Sequence, residues 1–199
     1  MATIGMQYPV YSIITKEEFG KSPTYGEGGV IGKGILADKT INTNNNPLYA
    51  DGAIAENDRG FSDGTIKFTV DDIDLKTKAD LLGLKYTKAE EGGLEGIKLG
   101  GGDVAPYVGV GYYKTKRRNN VTYYEATWFF KVQFAPFSDS AKTKEKAIDW
   151  QTADVEGTIM TVEGYDNDVY EETVRCATDT EAKEWLNTRA NITTTTTQG

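Results

Sequence analysis

Alternation of apolar and polar residues between positions 121 and 134 is the strongest constraint on the fold of this chain. Every second position carries an apolar side chain: Tyr124, Ala126, Trp128, Phe130, Val132 and Phe134. Alternate side chains of an extended strand share a face, so this stretch predicts a strand with one buried side. Residues 105–113 are also rich in apolar residues, and "KTKRRNN" follows them. Asn119 and Asn120 tolerate positive φ, which predicts a long β-hairpin over 105–134.

Other segments predict further strands. Residues 8–14 are apolar, and Pro9 places them at a sheet edge because proline cannot donate to a ladder. Residues 30–37 and 65–70 alternate in the same manner, and residues 147–162 hold one or two more strands. The 22 glycines and 12 tyrosines agree with strands joined by turns.

Two short helices complete the prediction. The first covers about 72–82, with Asp71 or Asp72 as its cap and Gly83 at its end. The second follows a capping box made by Thr178 and Glu181. Its apolar stripe consists of Ala182, Trp185, Leu186 and Ala190. The expected fold class is therefore mainly β with one or two helices, an α+β protein, with Trp128 and Trp185 in its core.

The 199 residues, without an internal repeat or linker, predict one domain over 1–190. A long polar loop is expected at about 40–60, and the Thr-rich residues 191–199 are expected to be disordered. No apolar run approaches the ~20 residues of a membrane span, and the first residues lack the pattern of a signal peptide.

The residue content argues against most enzyme classes. Histidine is absent, which excludes Ser-His and Cys-His nucleophile pairs and a histidine-based zinc site. Cys176 is the single cysteine, so an intrachain disulfide is excluded. "GEGGVIGKG" departs from a phosphate-binding loop at its first and last positions, and "DNDVYEE" lacks the ligand and glycine of a calcium loop. We therefore predict no catalytic, cofactor-binding or metal residues, and no enzyme.

Two charged segments are candidate sites. The first contains Leu48, Tyr49, Asp51, Glu56, Asp58 and Arg59. Its carboxylates could face one cleft as in a glycosidase, but long loops retained in compact domains tend to be functional, so a loop that contacts a neighbouring subunit is favoured.

The second candidate is the basic tip of the hairpin, formed by Lys114, Lys116, Arg117 and Arg118. Three interpretations stay open for it. The tip is simply solvated; it binds nucleic acid, with Tyr112 and Tyr113 as stacking platforms; or it pairs with acid on a neighbouring subunit. A net charge of −8 weighs against nucleic-acid binding.

Several stretches, taken in order along the chain, resemble the major tail proteins (tail tube proteins) of long noncontractile-tailed bacteriophages. They are "YPVY" at 8–11, "LYADGAIAENDRGFSDGTIKFTVDDI" at 48–73, "LLG" at 81–83, "DVAPYVGVGYYKTKRRNNVTYYEATWFFKVQF" at 103–134, "SDSAKTKEKAIDWQTADVEGTIM" at 138–160 and "TEAKEWLN" at 180–187. The likeness covers nearly the whole chain. Residues 84–102, 161–177 and the Thr-rich tail fit it less clearly.

The resemblance implies a β-sandwich or half-barrel with a helix on its flank. It implies a virion protein of the phage tail, made and assembled in the host cytoplasm, whose hexameric rings stack into a tube. The genome would pass through the lumen without tight binding during ejection. A tape-measure protein and a tail terminator are the implied partners, with no membrane and no cofactor. The alternative from another class is a monomeric β-sandwich module that binds carbohydrate or a cell surface.

Overall fold

A computed structural model describes residues 2–50, 53–89, 93–137 and 152–193, with the backbone alone at positions 2, 46, 48–50 and 53–59. The elements are β1 (Ala2–Lys16), β2 (Thr24–Val30), β3 (Gly34–Ala50), β4 (Ala53–Val70), α1 (Leu75–Leu82), β5 (Lys85–Thr87), β6 (Gly96–Lys98), β7 (Tyr107–Arg118), β8 (Val121–Phe134), β9 (Ala153–Met160), β10 (Glu171–Cys176) and α2 (Asp179–Arg189). The predicted class, mainly β with two helices, is confirmed.

One antiparallel sheet contains eight of the strands. Seven of them follow the order β2-β1-β7-β8-β9-β4-β3, and β10 pairs separately with β8. The first half of β8 pairs with β10 and its last residues pair with β9, so the sheet divides along this strand. The sheet curls far enough that Gly34 at the start of β3 lies against Met6 of β1.

The predicted hairpin is present as β7 and β8, and Asn119 and Asn120 have positive φ values of 49° and 62°. The alternation predicted for β8 is wrong beyond Phe130. Phe130 and Lys131 lie opposite a single residue of β7, which is a β-bulge. The bulge reverses the two faces: Trp128 and Phe130 lie on one side of the sheet, whereas Phe129 and Val132 lie on the other.

A second bulge corrects the prediction for β1. This strand lies between β2 and β7, so it is not an edge strand. Tyr8 and Pro9 form the extra pair opposite one residue of β7, and Tyr8 has a φ of 58°. Proline is tolerated there because the ladder is interrupted.

The two bulges give the sheet two hydrophobic clusters, one on each face. The concave side holds Ile66, Phe68, Val110, Phe129 and neighbours, closed by Leu81 and Leu82 of α1. The other side holds Trp128 beneath Ala182 and Leu186 of α2. Trp128 is fully buried as predicted, whereas Trp185 is only partly buried.

Glycine at two positions of β7 allows the Trp128 side chain to pack directly against the backbone of that strand. A Cβ at Gly109 would lie 2.3 Å from Cζ2 of Trp128, and one at Gly111 would lie 2.7 Å from the Leu186 side chain. Both distances are shorter than van der Waals contact, so neither position accommodates a side chain without displacement of its neighbours.

The helix boundaries agree with the predicted signals except for one cap. Thr178 accepts a hydrogen bond from the Glu181 amide, and Gly83 ends α1 in the left-handed conformation. The N-cap of α1 is Asp74, not Asp71 or Asp72 as predicted. Asp71 instead accepts from the Lys33 amide, and Asp72 from the Ile73 amide.

The predicted loop at 40–60 is wrong as a description of the backbone. The described residues of this stretch, 40–50 and 53–60, belong to β3 and β4, which pair from Gly34–Val70 out to Ala50–Ala53. Asn191 and Ile192 of the predicted disordered tail are placed: the Ile192 amide donates to the Asn187 carbonyl at 2.9 Å. Residues 194–199 lie outside the described residues.

Candidate functional site: a two-stranded arm and a basic hairpin

β3 and β4 extend well beyond β9, the strand that pairs with β4. β9 pairs with β4 only from Gly64 to Val70, whereas β3 and β4 continue to pair as far as Ala50 and Ala53. Residues 42–50 and 53–63 therefore form a two-stranded antiparallel ribbon, which we call the arm. At about 3.4 Å per residue, its nine residues on β3 span roughly 30 Å.

The base of the arm is fixed to the domain by side-chain contacts. Phe61 stacks on Tyr170 with ring centroids 4.3 Å apart and an interplanar angle of 19°. Immediately below the arm, Lys39 forms a salt bridge of 2.6 Å with Glu171. Asn42 donates to the Asp63 carboxylate across the first pair of the arm. The direction in which the arm leaves the domain is therefore set by the start of β10.

Beyond this base, the arm has the features of a surface that needs a partner. The side chains from Asn42 to Asn45 are exposed, and bulges at Ser62 and Ala55 interrupt the ladder. Within the described residues, no third strand pairs with either edge of the arm. A two-stranded ribbon is at best marginally stable alone in water, so contact with another surface would stabilise it.

The predicted loop residues all map to this arm, except one. Leu48 pairs with Glu56, and Tyr49 pairs with Ile54. Asp58 and Arg59 lie opposite Asn46 and Asn45, and Asp51 lies outside the described residues. The structure thus brings five of the six candidates together on paired strands. Alternation could not reveal these strands, because a ribbon outside the core has no face that must be apolar.

The predicted basic tip is also part of a ladder. Lys114, Lys116, Arg117 and Arg118 lie in β7, and the turn itself contains only Asn119 and Asn120. Lys116 forms a salt bridge with Glu125, and the Lys114 ammonium lies 5.2 Å from the centroid of the Tyr112 ring.

The structure bears on two interpretations of this tip, the stacking of bases on Tyr112 and Tyr113 and the pairing with acid on a neighbouring subunit. Tyr112 and Tyr113 are 1% and 0% exposed, so neither ring is a platform on which a base could stack. Arg117 and Arg118 are exposed, and the structure gives them no carboxylate partner within the described part of the chain. The two guanidinium groups are thus available to an acidic partner.

The end of the sheet at which β7 begins and β8 finishes carries exposed apolar side chains. Leu99 and Val104 flank a turn in which the Asp103 amide donates to the Gly100 carbonyl, and they are 71% and 73% exposed. Tyr107, at the start of β7, and Leu94 are also exposed. Sequence alternation could not identify this group, because its members lie in a Gly-rich segment without regular period.

A cleft of about 610 Å³ lies beside the bulge of β1. Asp71, Asp72 and Asp74 line one wall, and Tyr113 donates a 2.6 Å hydrogen bond to Gln7 at its base. Burial raises the pKa of Tyr113, which keeps the phenol protonated. The cleft therefore presents acids without an activated nucleophile.

Two structural findings concern ligands and membranes. Across the described ranges, no group of three or more acidic or cysteine side chains is placed to hold a metal ion. No helix in those ranges has the length and apolarity required to cross a bilayer.

A scan against protein-family models matches no family, and a search of the curated proteins finds no match.

Proposed function

We propose that this chain is a virion structural protein, a major tail protein whose rings stack into the tail tube of a noncontractile-tailed phage. The proposal starts from the collinear resemblance described above. The observation that carries it is the arm: a ribbon of roughly 30 Å with which no third strand pairs among the described residues. Such a ribbon contributes little to the stability of a monomer, whereas in an assembly it can bind one subunit to another.

The distribution of surfaces supports an assembly with two different ends. From its base at Gly64 the arm extends toward the end of the sheet at which β8 begins, and Tyr107 lies at the other end, where β7 begins and β8 finishes. Leu99 and Val104 precede Tyr107 in the chain and are likewise exposed. Unlike surfaces at opposite ends produce head-to-tail contacts, and head-to-tail contacts build open stacks.

The charge of the subunit supports a role as a conduit for DNA. A net charge of −8 repels phosphate, so a wall built from such subunits lets a duplex pass without adhesion. The tape-measure protein and the terminator that the resemblance implies remain the proposed partners. The proposed location is the tail of the virion, after assembly in the host cytoplasm.

The alternative, a monomeric binding module, would use the cleft beside β1. The Tyr113 ring is buried and its hydroxyl is already engaged by Gln7. Tyr8, which also lines the cleft, is only partly exposed and donates its hydroxyl to Asn187. The arm has no role in a module of that kind, so assembly is the better supported function.

Negative-stain electron microscopy of the purified chain, with and without co-expressed tape-measure and terminator proteins, tests the proposal. We expect rings or tubes, and in parallel a sedimentation coefficient that rises with concentration. A chain that stays monomeric at high concentration with the partners supplied would refute the proposal. Binding of a defined oligosaccharide by that monomer would favour the alternative.

A further inference from the structure

The directions of the strands place the arm and the basic hairpin at the same end of the subunit. β8 and β4 both pair antiparallel with β9, so they run in the same direction. The arm precedes the part of β4 that pairs with β9, and the Asn119–Asn120 turn immediately precedes β8. Gly64 at the base of the arm and Val132 of β8 lie opposite the same residue, Ile159. From this level the arm extends back to Ala53 and β8 extends back to Val121, so the arm and the hairpin run in the same direction toward the same end of the subunit.

The two features carry opposite charge. The described residues of the arm contain three acids, Glu56, Asp58 and Asp63, and one base, Arg59, which leaves a net charge of −2. Residues 112–125 contain four bases, Lys114, Lys116, Arg117 and Arg118, and one acid, Glu125, which leaves +3. Opposite potentials of this kind steer association and select register between partners.

The basic hairpin keeps most of its charge available for a partner. Lys116 is paired with Glu125; the Lys114 ammonium lies over the Tyr112 ring, and Lys114 forms no ion pair with the described residues. Arg117 and Arg118 are exposed and form no ion pair with the described residues. Arginine suits a contact with carboxylates because its planar group binds them through two hydrogen bonds.

From this placement we propose that the arm of one subunit lies on the β7–β8 basic hairpin of its neighbour within the same ring. The inference rests on the proposed function and specifies which surfaces form the lateral contact. In a stack of subunits with one orientation, features at the same end lie at the same height. An arm at that height meets a neighbouring hairpin sideways, whereas the next ring presents its other end, with Leu99 and Val104.

The test uses two charge-reversed variants and their mixture. The hairpin variant is Arg117→Glu with Arg118→Glu, and the arm variant is Glu56→Lys with Asp58→Lys. Each alone places like charges in every lateral contact. We expect each to need at least tenfold more protein than the unaltered chain to form rings, as measured by sedimentation. Salt of about 0.5 M should weaken rings of the unaltered chain, because it screens charges beyond a few ångströms.

Mixing the two variants in equal amounts distinguishes a contact between subunits from one within a subunit. In a ring where the variants alternate, every arm meets a hairpin of opposite charge, so the mixture should recover ring formation. A chain that carries all four substitutions should recover as well. Recovery by that chain but not by the mixture would show a contact within one subunit and overturn the inference.

Other outcomes are equally decisive. Variants that form single rings but no stacks would assign the contact to neighbouring rings, and variants that assemble like the unaltered chain would remove the contact altogether. The control is Lys85→Glu with Lys98→Glu, an exposed cross-strand pair of β5 and β6 that changes net charge by the same amount as the hairpin variant. It should leave ring formation unchanged. An unaltered chain that never assembles overturns the proposed function and this inference together.

Discussion

Replacement of Gly109 by alanine tests how β7, Trp128 and α2 are packed. The added Cβ would lie 2.3 Å from Cζ2 of Trp128 and 2.6 Å from Cε1 of Tyr25, whereas ordinary contact starts near 3.4 Å. One or both rings must therefore move by about 1 Å. Trp128 has little freedom to do so, because it is fully buried and packs edge-on against Tyr25 with centroids 5.4 Å apart. Overpacking of this kind costs about 1–3 kcal/mol.

Urea unfolding followed by tryptophan fluorescence and far-UV circular dichroism measures this cost. A double-mutant cycle with Trp128→Leu separates the cost of contact with the Trp128 ring from the cost of contact with Tyr25, because this substitution removes the indole ring nearest to the added Cβ. We expect Gly109→Ala to cost at least about 1 kcal/mol less in the Trp128→Leu background, with the remainder due to Tyr25. Gly96→Ala is the control, since nothing lies within 4 Å of its Cβ. Equal costs for Gly109→Ala in both backgrounds would refute the packing described here.

Three further predictions concern stability and DNA. Burial raises the pKa of Tyr112 from its ordinary value of 10 to about 12. The folded state favours the neutral Tyr112 phenol, and this preference contributes fully to the free energy of unfolding below pH 10 and is lost as the pH rises from 10 to 12. Tyr112→Phe should therefore make the free energy of unfolding less dependent on pH in that window. Removal of the α2 cap by Thr178→Ala should cost about 1 kcal/mol in the same urea assay, and a neutral result would show that the cap contributes nothing. The isolated subunit should not bind duplex DNA measurably at physiological salt in a fluorescence anisotropy titration; salt-dependent binding would contradict the proposed wall charge.

The parts of the fold that follow local rules could be predicted from the sequence. The Asn119–Asn120 turn requires residues that tolerate positive φ, and Thr178 with Glu181 has the spacing that satisfies the free amides of a helix start. Burial of Trp128 followed from alternation over the first half of β8. These features depend on neighbours in the sequence, so the sequence contains enough information to identify them.

The remaining features depend on partners distant in the sequence. The bulge at Phe130 exchanges the faces of β8 because β7 supplies one residue where β8 supplies two, and a period of two cannot reveal that. The sequence predicts a loop for the arm because its Asn-rich strand has no apolar face, although its described strands pair from Asn42–Asp63 out to Ala50–Ala53 with bulges at Ser62 and Ala55. Glu56, Asp58 and Arg59 are neighbours in the sequence and lie on one strand, but their relation to the hairpin depends on the direction of β4 and β8.

The most direct test of the central claim replaces residues 42–63 with Asn-Gly, so that Ile41 and Gly64 are joined by a two-residue turn. These two residues are already partners in the ladder, and the turn type matches their spacing. The replacement leaves the pairing of β4 with β9 intact and removes the stacking of Phe61 on Tyr170, so the shortened chain should still unfold cooperatively in urea. We predict that electron microscopy and sedimentation show rings or tubes for the unaltered chain and only monomers for the shortened chain. Tubes formed by a folded chain without the arm would contradict the account.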